Sequence, residues 1–395
     1  MKIAAILDNT VDVGGGYNQS VNAILQIHRL CANRFKLDVY TTDKQNVKIL
    51  QEIGINASFI KYHLLDQIFL NLCNNQFWQK IQCRIKWICP FEKRLLDNGC
   101  DLIYFVTQSN NAAAIQTINY ITTLMDLCHR DMLEFPEVRC FGRFFLRESY
   151  FKYNLLPAYL ILTDSEKLAD AAALRYGIDR DRFLPMPYSP SPFLNQTGDS
   201  NNNAILRKYR LIPGYFFYPA QFWAHKNHIR ILQALVILKN KGFFPNVVFS
   251  GNDHGNRVHI EHFVKENDLM SQVNILGFVD KNDMWGLYEN AMAVVMPTYF
   301  GPTNIPPIEA WVVGKPVIYS EHLSEQVEDA ALLIDPDDAN GLANAMLAFG
   351  DPLEINRLVA AGKQRLSTIN EQRNHAEKEL LKKLESFSAR RQCWR

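Results

Sequence analysis

The stretch from Tyr299 to Ser320, YFGPTNIPPIEAWVVGKPVIYS, carries one acid, Glu309, early in a helix-like run whose prolines suit a first turn. A carboxylate there can accept hydrogen bonds from a pair of ribose hydroxyls while the preceding loop turns N–H groups toward phosphates. It can equally compensate the helix dipole without any ligand. Upstream, FYPAQFWAHKNHIRIL sets Lys226 between a strand and a helix, where an ammonium neutralises a departing pyrophosphate or is simply solvated. Gly14, Gly15 and Gly16 follow the first apolar run. They permit positive φ and close ligand approach, and they lead into a helix whose open N–H groups attract a phosphate or a sugar, or they form a plain tight turn. The dinucleotide fingerprint fails because Gln19 stands three residues after Gly16, so NAD is not expected. In TLMDLCHRDMLEF, Asp126 and His129 at a strand end can orient an acceptor hydroxyl or hold a donor sugar. Alternatively they cap a helix and pair with Arg130.

These residues need a frame. Short β-rich runs alternate with helical stretches: KIAAILD, KLDVYTT, DLIYFVT, TTLMDL and YLILTDS, then GYFFYPA, NVVFSG, VNILGFV, AMAVVMP, KPVIYS and ALLIDP. Such alternation predicts α/β architecture, with parallel sheets covered by helices on both faces. Eleven strands are too many for one comfortable sheet, and a Pro, Ser, Gly and Asn-rich stretch from Ser189 to Asn203 divides them. The expectation is two Rossmann-like doubly wound domains facing across a cleft, 1–195 and 196–370, with a C-terminal helix over 371–395. Ligands of such sheets sit beyond the carboxyl ends of the strands.

At 395 residues the chain exceeds one hydrophobic core, consistent with two domains. The formal net charge of +1 argues against bulk nucleic acid as a partner. Eight Cys without a Cys-x-x-Cys pair or zinc-like spacing point to a reducing cytoplasm and no structural zinc. No apolar run approaches the ~20 residues of a membrane span. Two segments leave a peripheral contact open. The tail NHAEKELLKKLESFSARRQCWR sets Leu380, Leu381, Leu384 and Phe387 at helical spacing, for packing on a domain surface, in particular back on the first domain, or for lying on a membrane. Phe69 to Arg94 mixes aromatics with Lys and Arg, as does a solvated helix with a buried aromatic face or one resting on anionic lipid.

The stretch GPTNIPPIEAWVVGKPVIYS resembles the retaining glycosyltransferases of family 4, which have the two-domain GT-B fold. It keeps that family's second Glu as Glu309, followed by Ala310, Gly314, Pro316, Val317 and Ser320. The family's first Glu is replaced by Gly301, and Thr303 and Asn304 are expected to take over part of its role toward the donor sugar. The resemblance further implies that Gly14 to Gly16 form the glycine loop, that Lys226 binds phosphate, that Phe278 and Val279 flank the nucleobase, and that Ile305 lines the nucleotide. Asp126 matches the family's Asp, Met125 stands where a His is common, and His129 is expected to serve instead. The arginine usual before the lysine has no counterpart near Ala220 and Gln221.

The activity so implied is transfer of a hexosyl group, with retention, from a nucleotide-diphosphate sugar to an acceptor hydroxyl, in cell-surface polysaccharide or lipopolysaccharide synthesis. Catalytic parts fall to Asp126, His129, Lys226 and Asn304. Donor binding falls to Gly14, Gly15, Gly16, Lys226, Phe278, Val279, Thr303, Asn304, Ile305 and Glu309. No metal and no cofactor beyond the donor, GDP- or UDP-linked, are expected. The acceptor is a saccharide or lipid-linked saccharide, and the location is the cytoplasm or the inner face of the plasma membrane. A sugar-nucleotide epimerase and a degenerate nucleotide binder are the rival readings.

Overall fold

The computed structural model describes residues 1–10, 14–73, 87–194 and 202–394. The middle of the basic aromatic segment, residues 74–86, and the expected 195/196 break lie outside the described residues.

Two all-parallel sheets organise the chain. The first has the order β3-β2-β1-β4-β5-β6-β7, from β1 (Lys2–Leu7), β2 (Lys36–Thr41), β3 (Ala57–Phe59), β4 (Leu102–Phe105), β5 (Asn119–Thr123), β6 (Leu160–Thr163) and β7 (Phe183–Pro185). The second has the order β10-β9-β8-β11-β12-β13, from β8 (Tyr215–Pro219), β9 (Val247–Ser250), β10 (Val273–Ile275), β11 (Ala291–Met296), β12 (Val317–Ser320) and β13 (Leu332–Ile334). Helices on both faces leave no solvated side. Accordingly β4, β6, β9 and β12 are buried at every position, which is why they read as unbroken Val, Ile, Leu and aromatic runs.

Two strands escaped the sequence pattern. β3 and β7 each have three residues, as do β10 and β13, but β3 mixes Ser with its apolar residues and β7 ends at Pro185, so neither sits in a longer apolar run. β5 also begins earlier than the TTLMDL run, at Asn119, so Asp126 lies three residues past its end.

The chain forms two compact units. The first comprises Met1–Leu133, Val138–Tyr188 and Gln372–Arg395; the second comprises Glu134–Glu137 and Ser189–Glu371. The chain passes from the first unit to the second at 188/189, and Ser191 is held in the second unit by Glu309. In the first unit the tail helix spends its apolar face internally. Leu380, Leu384 and Phe387 are buried, and Phe387 packs its ring 4.9 Å from that of Tyr159. Among the described residues no helix is long and apolar enough to cross a membrane.

Each sheet reverses its winding direction once, between β1 and β4 and between β8 and β11. Such switch points open a crevice beyond the strand ends, because the connecting helices leave on opposite faces. The chemistry-bearing residues after β8 and β11 therefore share one crevice within the second unit.

Candidate functional site

After β8 the chain turns through Trp223 into a short 3-10 turn, Ala224–Lys226, then through Asn227 at φ 57° into the helix His228–Asn240. After β11 it runs through Thr298 and Gly301 to the helix Ile305–Val312, with Asn304 at its N-cap. Tyr299 N–H donates to the His225 carbonyl at 2.9 Å, tying the two loops together. Lys226 Nζ then reaches Asn304 Oδ1 at 3.2 Å.

Asn304 is buried, and its side chain is the hub of the second loop. Its amide donates to Tyr319 Oη at 2.7 Å and to the Gly301 carbonyl at 3.1 Å. Its own N–H donates to Gln326 Oε1 at 2.8 Å. Gly301 has φ 102°, and a Cβ there would stand 2.9 Å from the Asn304 amide. A side chain at 301 would have to push the Asn304 amide aside, so the glycine suits the asparagine's place.

Glu309 is buried on the same helix. Oε2 accepts from Tyr288 Oη at 2.6 Å, and Oε1 from the Ser191 N–H at 3.2 Å. Burial pushes its carboxyl above the ordinary value, the two hydrogen bonds offsetting part of the shift. Ile305 is buried and Thr303 half-buried. Beyond β10, Val279 is buried while Phe278 is 60% exposed.

One neighbour escaped sequence reasoning altogether. His225 lies over the Phe300 ring, centroids 4.3 Å apart at 15°, and its Nδ1 pairs with Glu137. Its backbone N–H donates to the same carboxylate at 3.0 Å. Burial alone would raise the Glu137 pKa, but these bonds from His225 hold it below the ordinary value. The signal was the Pro136-Glu137 pair, whose partner lies 88 residues on.

The first unit treats its expected residues differently. Gly14, at φ 69°, is the N-cap of the helix Gly15–Cys31 and makes no side-chain cap bond. Gly16 accepts from Ser20 Oγ at 2.8 Å. Asp126 accepts from Cys128 N–H at 3.0 Å and from Arg147 at 2.7 Å. Burial alone would raise its pKa; Arg147 holds it below the carboxylate range. His129 is fully buried, with Nε2 2.6 Å from Glu148 Oε1 and its ring against Phe144 and Phe151. Burial lowers its pKa despite Glu148. The structure places His129 in the core beneath Glu148, which also binds Arg130 and Tyr176. Asp126 likewise makes the cap-and-pair arrangement, with Arg147 in place of Arg130.

At the first sheet's own switch point stands a carboxylate that the sequence reading passed over. Asp8, just past β1, accepts from Thr107 Oγ1, Ser109 Oγ and Asn111 Nδ2. Burial nonetheless raises its pKa. The end of the KIAAILD run was its only signal.

Residues 208–365 match the family model described as glycosyl transferases group 1. Among curated proteins, the chain is 26% identical over 232 residues to O-antigen chain mannosyltransferase B of Escherichia coli, covering 58% of this chain and 60% of that one. It is 26% identical over 213 residues to O-antigen chain mannosyltransferase RfbU of Salmonella typhimurium, covering 51% and 55%. The matches thus span little more than half the length of these relatives. Among solved structures, Anabaena HepE in complex with UDP and glucose superposes with a TM-score of 0.70 at 16% identity, covering 98% of this chain and all of that one. At that identity the likeness concerns the fold, and the two parallel-sheet units have the GT-B fold. Over residues 208–365 the chain is thus similar to the glycosyl transferases group 1 model, and the protein has the GT-B fold.

Proposed function

We propose that this protein is a retaining glycosyltransferase of family 4 that moves a hexosyl group from a nucleotide-diphosphate sugar to an acceptor hydroxyl during O-antigen or lipopolysaccharide assembly. The observation that carries the reading is the meeting of Lys226 and Asn304 at 3.2 Å, with Glu309 buried on the helix that Asn304 caps. An ammonium beside a helix N-terminus stabilises negative charge on a departing diphosphate. The buried Glu309 carboxylate offers acceptors for two ribose hydroxyls once Tyr288 and the Ser191 N–H yield. Phe278 and Val279 flank the base, Ile305 and Thr303 line the nucleotide, and Asn304 holds the sugar side in place of the absent acid. Asp126 keeps a positioning part through Arg147. Gly14 to Gly16 offer backbone N–H groups to sugar or phosphate.

The relatives named mannosyltransferases favour a mannosyl donor, carried by GDP or UDP, and a saccharide or lipid-linked saccharide acceptor at the inner face of the plasma membrane. The test is calorimetry with UDP, GDP, ADP, CMP and NAD, repeated for the best ligand with Lys226→Ala and Glu309→Ala. One nucleotide diphosphate binds, and both variants weaken it. A folded protein that binds none of them overturns the transferase reading in favour of a degenerate binder.

A further inference from the structure

Within the first unit, the turn Cys140–Gly142 and the helix Arg143–Leu155 carry apolar side chains that folding does not cover. The helix buries one face, with Phe151, Asn154 and Leu155 on it. Its other face begins with Phe145 and Leu146, both exposed. Just ahead of them Phe141 is 98% exposed, so the fold hides almost none of its ring.

Phe141 sits at φ 55°, and Gly142 follows at φ 71°. A phenylalanine seldom enters this left-handed region, where its Cβ crowds the next carbonyl oxygen. The chain thus adopts an unfavourable backbone conformation that projects an apolar ring into solvent, with hardly any internal contact to offset it.

Basic residues frame this surface. Arg139 and Arg143 stand two residues to either side of Phe141, and Lys152 lies about two helical turns on from Phe145. All three are exposed. The first unit's carboxylates along this stretch are already matched, Asp126 to Arg147, Asp131 to Arg175 and Glu148 to Arg130. Arg139, Arg143 and Lys152 are left without an ion pair among the described residues. Bare rings beside unmatched cations complement a surface that is anionic on top and apolar beneath, as an anionic bilayer is. A second copy of the chain would set these cations against their own kind. A protein partner would need a pocket shaped to the protruding ring, whereas a headgroup layer takes a single ring without shape complementarity.

We propose that this surface docks the protein on anionic lipid, with Phe141, Phe145 and Leu146 entering the headgroup layer and Arg139, Arg143 and Lys152 meeting the lipid phosphates. The inference deepens the membrane location in the proposed function and rests on that reading for its biological setting. Its test reads neither nucleotide binding nor transfer, so either can fail without the other.

The experiment mixes the full-length protein with phosphatidylcholine vesicles, with and without phosphatidylglycerol, and measures the fraction that sediments with them at low and high salt. Binding is expected on the anionic vesicles alone and falls as salt rises. Arg139→Ala combined with Arg143→Ala is expected to weaken it at least ~10-fold, since one cation near an anionic surface contributes about five-fold. Phe141→Asn combined with Phe145→Ser is expected to weaken it about 10-fold, through the apolar area no longer buried. Asn tolerates the left-handed turn, so the single Phe141→Asn variant should keep or raise the thermal midpoint while vesicle binding falls several-fold. That readout separates docking from folding. The proposal is overturned by binding to neither vesicle, by equal binding to neutral vesicles, or by binding undiminished in either set of variants. A concentration-dependent dimer abolished by the same variants also overturns it, and assigns the patch to a second copy.

Discussion

Beyond β8 and β11, Lys226 is turned onto Asn304, and Asn304 is fixed by Tyr319, Gln326 and the Gly301 carbonyl. Beyond β5, in the other unit, Asp126 and His129 are turned onto Arg147 and Glu148. Both are strand-end clusters of charged and polar side chains, and both looked alike as candidates for chemistry. The difference lies in what satisfies them. In the second unit an ammonium meets a neutral amide, at 3.2 Å. In the first, a carboxylate has a guanidinium and an imidazole has a carboxylate, so each charge is already answered inside the protein. Position at a strand end nominates a residue, but only its partners say whether it has charge left to offer.

The largest effect that tests this contrast is Lys226→Ala, expected to lower transfer by about 100-fold or more, the scale of losing one preorganised charge-stabilising group, with little change in thermal stability. Equal turnover would erase the distinction between the clusters. Next comes Glu148→Gln, expected to cost about 3 kcal/mol of stability by leaving Arg130 and His129 without their carboxylate, read as a lower urea midpoint, with nucleotide affinity retained. The Glu148 carboxyl is held at about 2, by Arg130 first. Its folded value is depressed, so its stabilisation is present above the ordinary glutamate range and is lost as pH falls from there toward 2. The variant's stability should vary less with pH across that window.

Gly301→Ala follows, expected to cost about 1–2 kcal/mol from positive φ and the displaced Asn304 amide, together with reduced transfer. Stability unchanged would mean that the loop does not depend on the glycine. Asn304→Ala is expected to lower turnover while nucleotide affinity stays, and unchanged turnover would remove Asn304 from the chemistry. The smallest effect concerns Glu309. Its raised carboxyl should take up a proton at higher pH than an ordinary glutamate, so nucleotide affinity should weaken as pH falls through that raised value. Glu309→Gln should flatten this acid limb, and an unaltered profile would assign the titration elsewhere.

Much of the frame was legible because buried parallel strands must be apolar on both faces. All eleven runs identified in the sequence contain or overlap a strand, whereas β3 and β7, no shorter than β10 and β13, lack a longer apolar run around them. The loops bearing Lys226 and Glu309 were legible through their spacing from those strands. Their partners were not: Tyr288 reaches Glu309 from 21 residues away, and His225 meets Glu137 across 88. Local pattern carries no record of such pairings. The same limit explains His129, whose burial beneath Glu148 depends on the packing of the helix Arg143–Leu155, and the excursion of Glu134–Glu137 into the second unit.

The first unit draws its last 24 residues, Gln372–Arg395, from beyond the whole of the second. On the ribosome, the second unit can therefore close its core before the first. Until the tail emerges, the site that receives Glu377 on Gln26 and Arg29, and the surface that receives Leu384 and Phe387, wait uncovered. A chain stopped near Glu371 would hold a finished second unit and a first unit with an open apolar flank, a substrate for chaperones and proteases rather than a smaller working protein.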